Sequence, residues 1–232
     1  MFSDFPVVRH STFFRFITCL LAAFLLQMTS LSEEASEERG SPYPADALRH
    51  LSEANRFDLA RRGGRHHTLL QGVKVYATLI HTNAEAAGID WRLLAAIIFH
   101  ESRFDPSAES NRSAKGLMQL RDVVAEQYGM PEADLFDPGI NVQLGSRLLG
   151  ELMQSFREEG IDSVNAVRFA LASYNSGGGT LSRRREEAVA AGLDPNDWDC
   201  VAEIYSRNNT VTPAYVTAVE ETVAAYRLAE GR

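Results

Sequence analysis

Apolar positions recur along this chain with a period near 3.6, the period of an amphipathic helix. Between Leu70 and Ala87, residues Val73, Ala77, Ile80 and Ala84 fall on one stripe, with Tyr76 beside it. Gly88 is placed to cap that helix, and Asp90 is a candidate N-cap for the next. The next helix should run from Trp91 to about Arg103 and end at Pro106. It carries Leu93, Leu94, Ala95, Ala96, Ile97, Ile98 and Phe99, apolar nearly all round, so it should be buried. Further helical patterns cover about 119–128, 139–157, 163–174, 182–191 and 212–229, with Leu144, Leu148, Leu149, Leu152 and Phe156 forming a stripe in the second. An earlier one runs from Ala47 to about Arg62, with Leu48, Leu51, Phe57 and Leu59, until Gly63-Gly64 interrupts it. Few stretches alternate as strands do, and there is no internal repeat. The expected fold is mainly α, in a single compact helical domain.

The N-terminus has another character. Arg9, His10 and Arg15 precede an apolar run from Ile17 to Met28, and Thr29, Ser30 and Ser32 follow. That order predicts a secretory signal peptide over 1–32, cut near Ser32. The run is short of the roughly 20 apolar residues of a membrane span, and a retained anchor is the alternative. Residues 33–69 then form a leader and N-terminal helical extension, its first part rich in Glu, Ser, Gly and Pro. The chain would be periplasmic or secreted.

Composition narrows the classes. The 232 residues are 45% hydrophobic, enough for a sizeable core, and the net charge of -8 gives no basic footprint for nucleic acid. Arg183-Arg184-Arg185 is followed by Glu186 and Glu187 and reads as a solvated helix face. Cys19 would leave with the signal, so Cys200 stands alone, expected as a small buried hydrophobe without a disulfide. His66-His67 has no partners at ligand spacing and reads as surface histidines; neither a metal nor a cofactor is expected.

The chemistry centres on Glu101, in the last turn of the most apolar helix. A carboxylate there faces the negative end of the helix dipole and is desolvated. Both effects keep its proton near neutral pH, as a general acid requires. Asp105 lies four residues on but directly before Pro106, and reads as structural. Gly116 permits close approach of a ligand or a chain segment, Met118 offers an adaptable apolar wall, and Gln119 brings a donor and an acceptor. Tyr174 can hydrogen-bond the carboxyl or a ligand, and Asn175 can read an amide. Asp137-Pro138 reads as a helix start.

Four motifs stand in order: His100-Glu101-Ser102-Arg103-Phe104-Asp105-Pro106, Ser113-Ala114-Lys115-Gly116-Leu117-Met118-Gln119-Leu120, Asp137-Pro138-Gly139-Ile140-Asn141-Val142-Gln143-Leu144-Gly145, and Ala170-Leu171-Ala172-Ser173-Tyr174-Asn175-Ser176-Gly177. Their order and spacing resemble the lytic transglycosylases, lysozyme-like enzymes that cut bacterial peptidoglycan. Thr212 with Tyr215-Val216 is similar to that family's terminal Glu-Thr-x-x-Tyr-Val motif. The resemblance implies a lysozyme-like catalytic domain over 70–228 that cleaves the β-1,4 bond between N-acetylmuramic acid and N-acetylglucosamine. It implies Glu101 as sole acid and base, with Ser102, Met118, Gln119, Tyr174, Asn175 and Tyr215 contacting substrate, and 1,6-anhydromuramic ends as product. Three alternatives stay open: a goose-type-lysozyme-like hydrolase, a non-catalytic peptidoglycan-binding protein, and a component of a secretion, conjugation or flagellar machine. The chain departs from the family pattern at Ser113 and Val211, where Gly and Glu are expected, at Ser176 in place of Ala, and at Leu120-Arg121-Asp122 in place of a Pro-containing turn.

Overall fold

The structure, a computed structural model, describes residues 63–131 and 133–230. The signal peptide, the leader and the 47–62 helix lie outside the described residues, as do the side chains of His66 and His67. Helices dominate: α1 (Gly63–Ala87), α2 (Trp91–Ser102), α3 (Asp122–Gln127), α4 (Pro138–Glu158), α5 (Ser163–Ser176), α6 (Gly178–Ala190), α7 (Trp198–Arg207) and α8 (Thr212–Glu230). Among the described residues, extended pairing is limited to the isolated bridges Glu109–Lys115 and Lys115–Leu120.

The central element is α2. Asp90 caps it as expected, accepting from the Arg92 amide at 2.9 Å. The same carboxylate, wholly buried, pairs with Arg92 at 3.2 Å and with Arg227 of α8 at 3.3 Å. Leu93 through Ile98 are completely inaccessible, so each large side chain among them contributes roughly 1.5–3 kcal/mol of transfer free energy. They are enclosed by α1 on one side and α8 on the other. α1 enters through a glycine turn: Gly88 has φ 65°, and the Ile89 amide reaches back to the Ala84 carbonyl at 3.0 Å.

The end of α2 falls where expected, with Arg103 as its cap, but Pro106 is not what ends it. The helix stops at Ser102, before Pro106 can stop it, because Arg103 and Phe104 both adopt left-handed backbone (φ 57° and 64°). Each such residue costs about 1–2 kcal/mol. Burial of the Phe104 ring offsets part of this: it is 8% exposed and stacks 6.4 Å from Tyr76 of α1. Gly72 makes that docking possible, since a Cβ there would lie 2.1 Å from the ring. At Tyr76, α1 is kinked (φ -108°, ψ 15°), and the helix extends back to Gly63 rather than starting at Leu70.

The remaining helices follow the pattern, with three differences. α6 starts at Gly178, ahead of the expected 182, because it follows the Gly177 turn directly. α3 is shorter than 119–128, because residues 115–120 form a bridged loop. α7 was not anticipated. Asp197 caps it, accepting from the Asp199 and Cys200 amides at 2.7 and 3.1 Å, and Trp198, Val201, Ile204 and Tyr205 face the core. Cys200 itself is half-buried. The arginine run is also not a free solvated face. Arg184 makes two 2.7 Å bonds to Glu187, and Arg185 bonds Glu159 at 2.8 Å, Asn196 at 2.7 Å and the Pro195 carbonyl at 3.0 Å.

Candidate active site

Glu101 sits in the last turn of α2, mostly covered, at the edge of the core that Leu93–Phe99 build. Burial raises its carboxyl pKa to about 7, and a hydrogen bond from Tyr215 opposes part of that rise. The Tyr215 hydroxyl donates to Oε1 at 2.7 Å. That leaves Oε2 as the oxygen able to carry and deliver the proton. The phenols of Tyr215 and Tyr174 are both pushed well above their ordinary value, by burial first and then by the Glu101 charge, so both remain donors at any working pH.

Tyr174, on α5, does not bond the carboxyl. Its hydroxyl donates to the Met118 carbonyl at 2.7 Å, tying the 116–120 loop to α5 beside Glu101. Met118 is not the apolar wall that the sequence suggests. It is fully buried, and its thioether fills the space left by Gly145, where a Cβ would lie 2.4 Å from the sulfur. It packs the loop onto α4 and forms no wall for a sugar. Ser102 is 7% exposed and turns its hydroxyl back to the Ile98 carbonyl at 3.1 Å, the i−4 bond common for serine in helices. It supports the helix end and does not face a ligand.

The loop itself is pinned by a residue that sequence reasoning placed only in a helix start. Asn141 is completely buried on α4, and its amide makes three bonds: Nδ2 to the Lys115 and Leu135 carbonyls at 2.8 Å each, and Oδ1 from the Met118 amide at 2.7 Å. Asp137 caps α4 as expected, accepting from the Ile140 amide at 2.8 Å, with Pro138 in the first turn. Gly116 has φ 75°, and a Cβ there would fall 2.3 Å from the Leu135 carbonyl oxygen. The close approach that glycine permits is therefore to another chain segment. The signal for Asn141 was available as one amide on the apolar side of α4, beside Val142 and Leu144.

Gln119 adopts φ 51° and commits its Nε2 to the Ala108 and Gly116 carbonyls, both at 3.0 Å; Oε1 is the atom left for a ligand donor. Asn175 is exposed at the end of α5, where its Oδ1 accepts from Thr212 at 3.0 Å and joins α5 to the start of α8. Val211, next to that link, is 75% exposed. Asp105 holds a turn, accepting from the Ser107 amide and hydroxyl at 2.9 and 2.7 Å. Glu101, Tyr215, Tyr174 and the 116–119 loop thus come together, with Asn175 and Thr212 at the α5–α8 junction. A separate cavity of about 630 Å³ between α1 and α4, bordered by Asn83, Gly88, Gln143 and Gln154, contains none of these residues.

The domain is mainly helical and carries a largely buried carboxyl at the end of its central helix. The family model of the Transglycosylase SLT domain matches residues 78–194, half of the chain, and the chain belongs to that family. Relatives include the membrane-bound lytic murein transglycosylase F of Desulfosudis oleivorans, 35% identical over 156 residues, which are 67% of this chain and 34% of that protein. The protein of the same name from Stutzerimonas stutzeri is 39% identical over 139 residues, 60% of this chain and 28% of its own. The chain therefore spans about a third of the length of the curated relatives it matches. In fold it is similar to an X-ray structure of an inactive mutant of the lytic transglycosylase Slt from Pseudomonas aeruginosa, with a TM-score of 0.53, 23% identity, and coverage of 67% of this chain and 24% of the other.

Proposed function

We propose that this chain carries the catalytic domain of a peptidoglycan lytic transglycosylase, with Glu101 as its acid and base. The observation that supports it most is a single, largely buried carboxyl at a helix end whose Oε1 is occupied by Tyr215. With a pKa near 7, this group is divided between its protonated and charged forms at neutral pH, so it can both give and take a proton. In the reaction, Glu101 protonates the glycosidic oxygen as the bond from the muramic anomeric carbon to that oxygen breaks. The carboxylate then takes the proton of the same sugar's C6 hydroxyl as O6 attacks the anomeric carbon. One C–O bond breaks, one forms, the proton returns to Glu101, and no water is consumed. The tethered hydroxyl outcompetes water through its high effective molarity, and the substrate's N-acetyl group stabilises the cationic centre.

In this reading Tyr215 orients the carboxyl and steadies its negative form. Gln119 and Asn175 meet substrate amides and hydroxyls, and Ser102, Met118 and Tyr174 hold the helix end and the loop. Peptidoglycan glycan strands are the substrate and partner, in the periplasm or outside the cell. The signal peptide over 1–32, the extension over 33–69 and the catalytic domain over 70–228 belong to the same proposal, with α1 of the described residues running from Gly63 to Ala87.

The test is digestion of purified sacculi by wild type and by Glu101→Gln, with mass spectrometry of the released muropeptides. Wild type should yield 1,6-anhydro ends, and the variant should be slower by at least ~100-fold, the lower range for a general acid. Reducing ends would make the enzyme a hydrolase. Equal release by both proteins would overturn Glu101 as the acid, and release by neither would overturn the enzyme reading in favour of a binding role.

A further inference from the structure

His100 immediately precedes the acid and has no part in the mechanism above, yet it sits between the acid and the helix that serves it. Its Nε2 lies 2.8 Å from Thr222 Oγ1. Thr222 is itself buried and donates its hydroxyl hydrogen to the Ala218 carbonyl at 2.9 Å. A hydroxyl has one hydrogen to give, so Thr222 receives the second bond on a lone pair and the imidazole hydrogen resides on Nε2. The ring also stands edge-on to Tyr215, with centroids 6.4 Å apart at 73°, and edge-on to Phe99, at 5.3 Å and 86°. Tyr215 and Thr222 lie two turns apart on the same helix, α8. One side chain of α2 therefore touches α8 at two levels, and the upper level is the tyrosine that holds Glu101.

We propose that His100 is a positioning residue: its Nε2–H bond to Thr222 and its ring edge on Tyr215 set the rotation of α8 so that the Tyr215 hydroxyl meets Glu101 Oε1. This rests on the reading of Glu101 and Tyr215 given above. The imidazole does so as a neutral group. Burial and the nearby Arg103 guanidinium lower its pKa to about 4, so no imidazolium stands next to the acid in the working range. A positive charge there would favour the carboxylate and remove the proton the reaction needs. The groups facing Glu101 are then Tyr215 from α8 and Tyr174 from α5.

The test does not require turnover, so its result is separable from that of the sacculus digest. Glutamates are labelled with ¹³C at the carboxyl, and the Glu101 titration midpoint is read by NMR in wild type, Tyr215→Phe, His100→Ala and the double variant. Removing the Tyr215 hydroxyl should raise the midpoint in the wild-type background, since its bond favours the charged form. In the His100→Ala background that increment should fall to less than half, because Tyr215 is no longer held in place. Thr222→Val is the second arm. It leaves the ring in place, removes only the hydroxyl, and should also shrink the increment. A His100→Gln variant, which restores a donor near Thr222, should recover part of it. If the full Tyr215 increment survives in both His100→Ala and Thr222→Val, the proposal is overturned, whatever the enzyme does to sacculi. Should His100→Ala fail to fold, the Thr222→Val and His100→Gln arms decide alone.

Discussion

A single hydrogen bond decides what Glu101 can do, and its removal gives the sharpest test. Tyr215→Phe deletes the 2.7 Å bond to Oε1 and leaves the ring in its pocket. A hydrogen bond to a charged group contributes roughly 1.5–3 kcal/mol, so turnover should fall about 10- to 100-fold with little change in KM. Unchanged turnover would mean that substrate, and not Tyr215, orients the acid. The same residues show how far sequence reaches at this scale. Glu101 was legible because its environment is local: seven apolar residues in one helix, then a polar turn. The roles of the tyrosines were not. The sequence allows Tyr174 either the carboxyl or a ligand as partner, and that Tyr215 bonds the carboxyl instead depends on the relative placement of α5 and α8, which no spacing encodes. Ser102 reads as a substrate contact because it follows Glu101 in one motif, and Met118 because it stands in the next motif of the same series. Their side chains turn inward, and the direction of a side chain is set by packing.

The 116–120 loop behaves as an element held by α4. Asn141→Ala would strand the buried Met118 amide and Leu135 carbonyl, while the Lys115 carbonyl would keep the Leu120 amide at 3.0 Å. Each buried unpaired group costs ~1–3 kcal/mol. The variant should therefore lose several kcal/mol in urea unfolding and most of its activity, whereas Asn141→Asp should keep only the Met118 bond. A stabilising change lies just upstream. Ser113 adopts φ 56° at the position where the family pattern has glycine. Ser113→Gly removes left-handed strain of about 1–2 kcal/mol but adds unfolded-state entropy. A net gain of roughly 0.5–1 kcal/mol should appear as a higher urea midpoint; a lower midpoint would show that the Ser113 side chain matters more than its backbone. Helix existence was largely legible from the 3.6 period and from capping aspartates such as Asp90 and Asp137. α7 escaped because Asp194-Pro195-Asn196-Asp197 reads as a turn and the helix behind it is only three turns long, too short for its Trp198, Val201, Ile204 and Tyr205 stripe to stand out. The end of α2 was legible to within a residue but its cause was not, because Arg103 and Phe104 take a backbone conformation that local preference opposes and the burial of Phe104 supports.

For the whole molecule, the chemistry that Glu101 supplies works against stability above neutral pH. Its folded pKa is raised, so the folded state holds the proton more tightly than the unfolded chain does. Its stabilising contribution is complete below the unfolded value near 4.5 and is lost as pH rises through about 7. The span corresponds to about 3 kcal/mol at the most. His100 acts in the opposite sense. Its folded pKa is depressed, so the unfolded chain takes up a proton first as pH falls below 6.5, and stability declines from there toward about 4. Between these values the two slopes partly cancel, and wild type alone cannot separate them. Two variants can. Glu101→Gln should match wild type near pH 4 and exceed it increasingly up to pH 8, by roughly 2–3 kcal/mol. His100→Gln should unmask the Glu101 slope, so that stability falls steadily from about pH 4.5 to about pH 7. Urea unfolding of the three proteins at pH 4, 6 and 8 measures both effects. If Glu101→Gln were no more stable than wild type at pH 8, the carboxylate would be well solvated or well paired in the folded state, and the buried-acid account of this site would fail. If it is more stable and inactive, the same desolvation that keeps the acid protonated is what the fold tolerates for its activity.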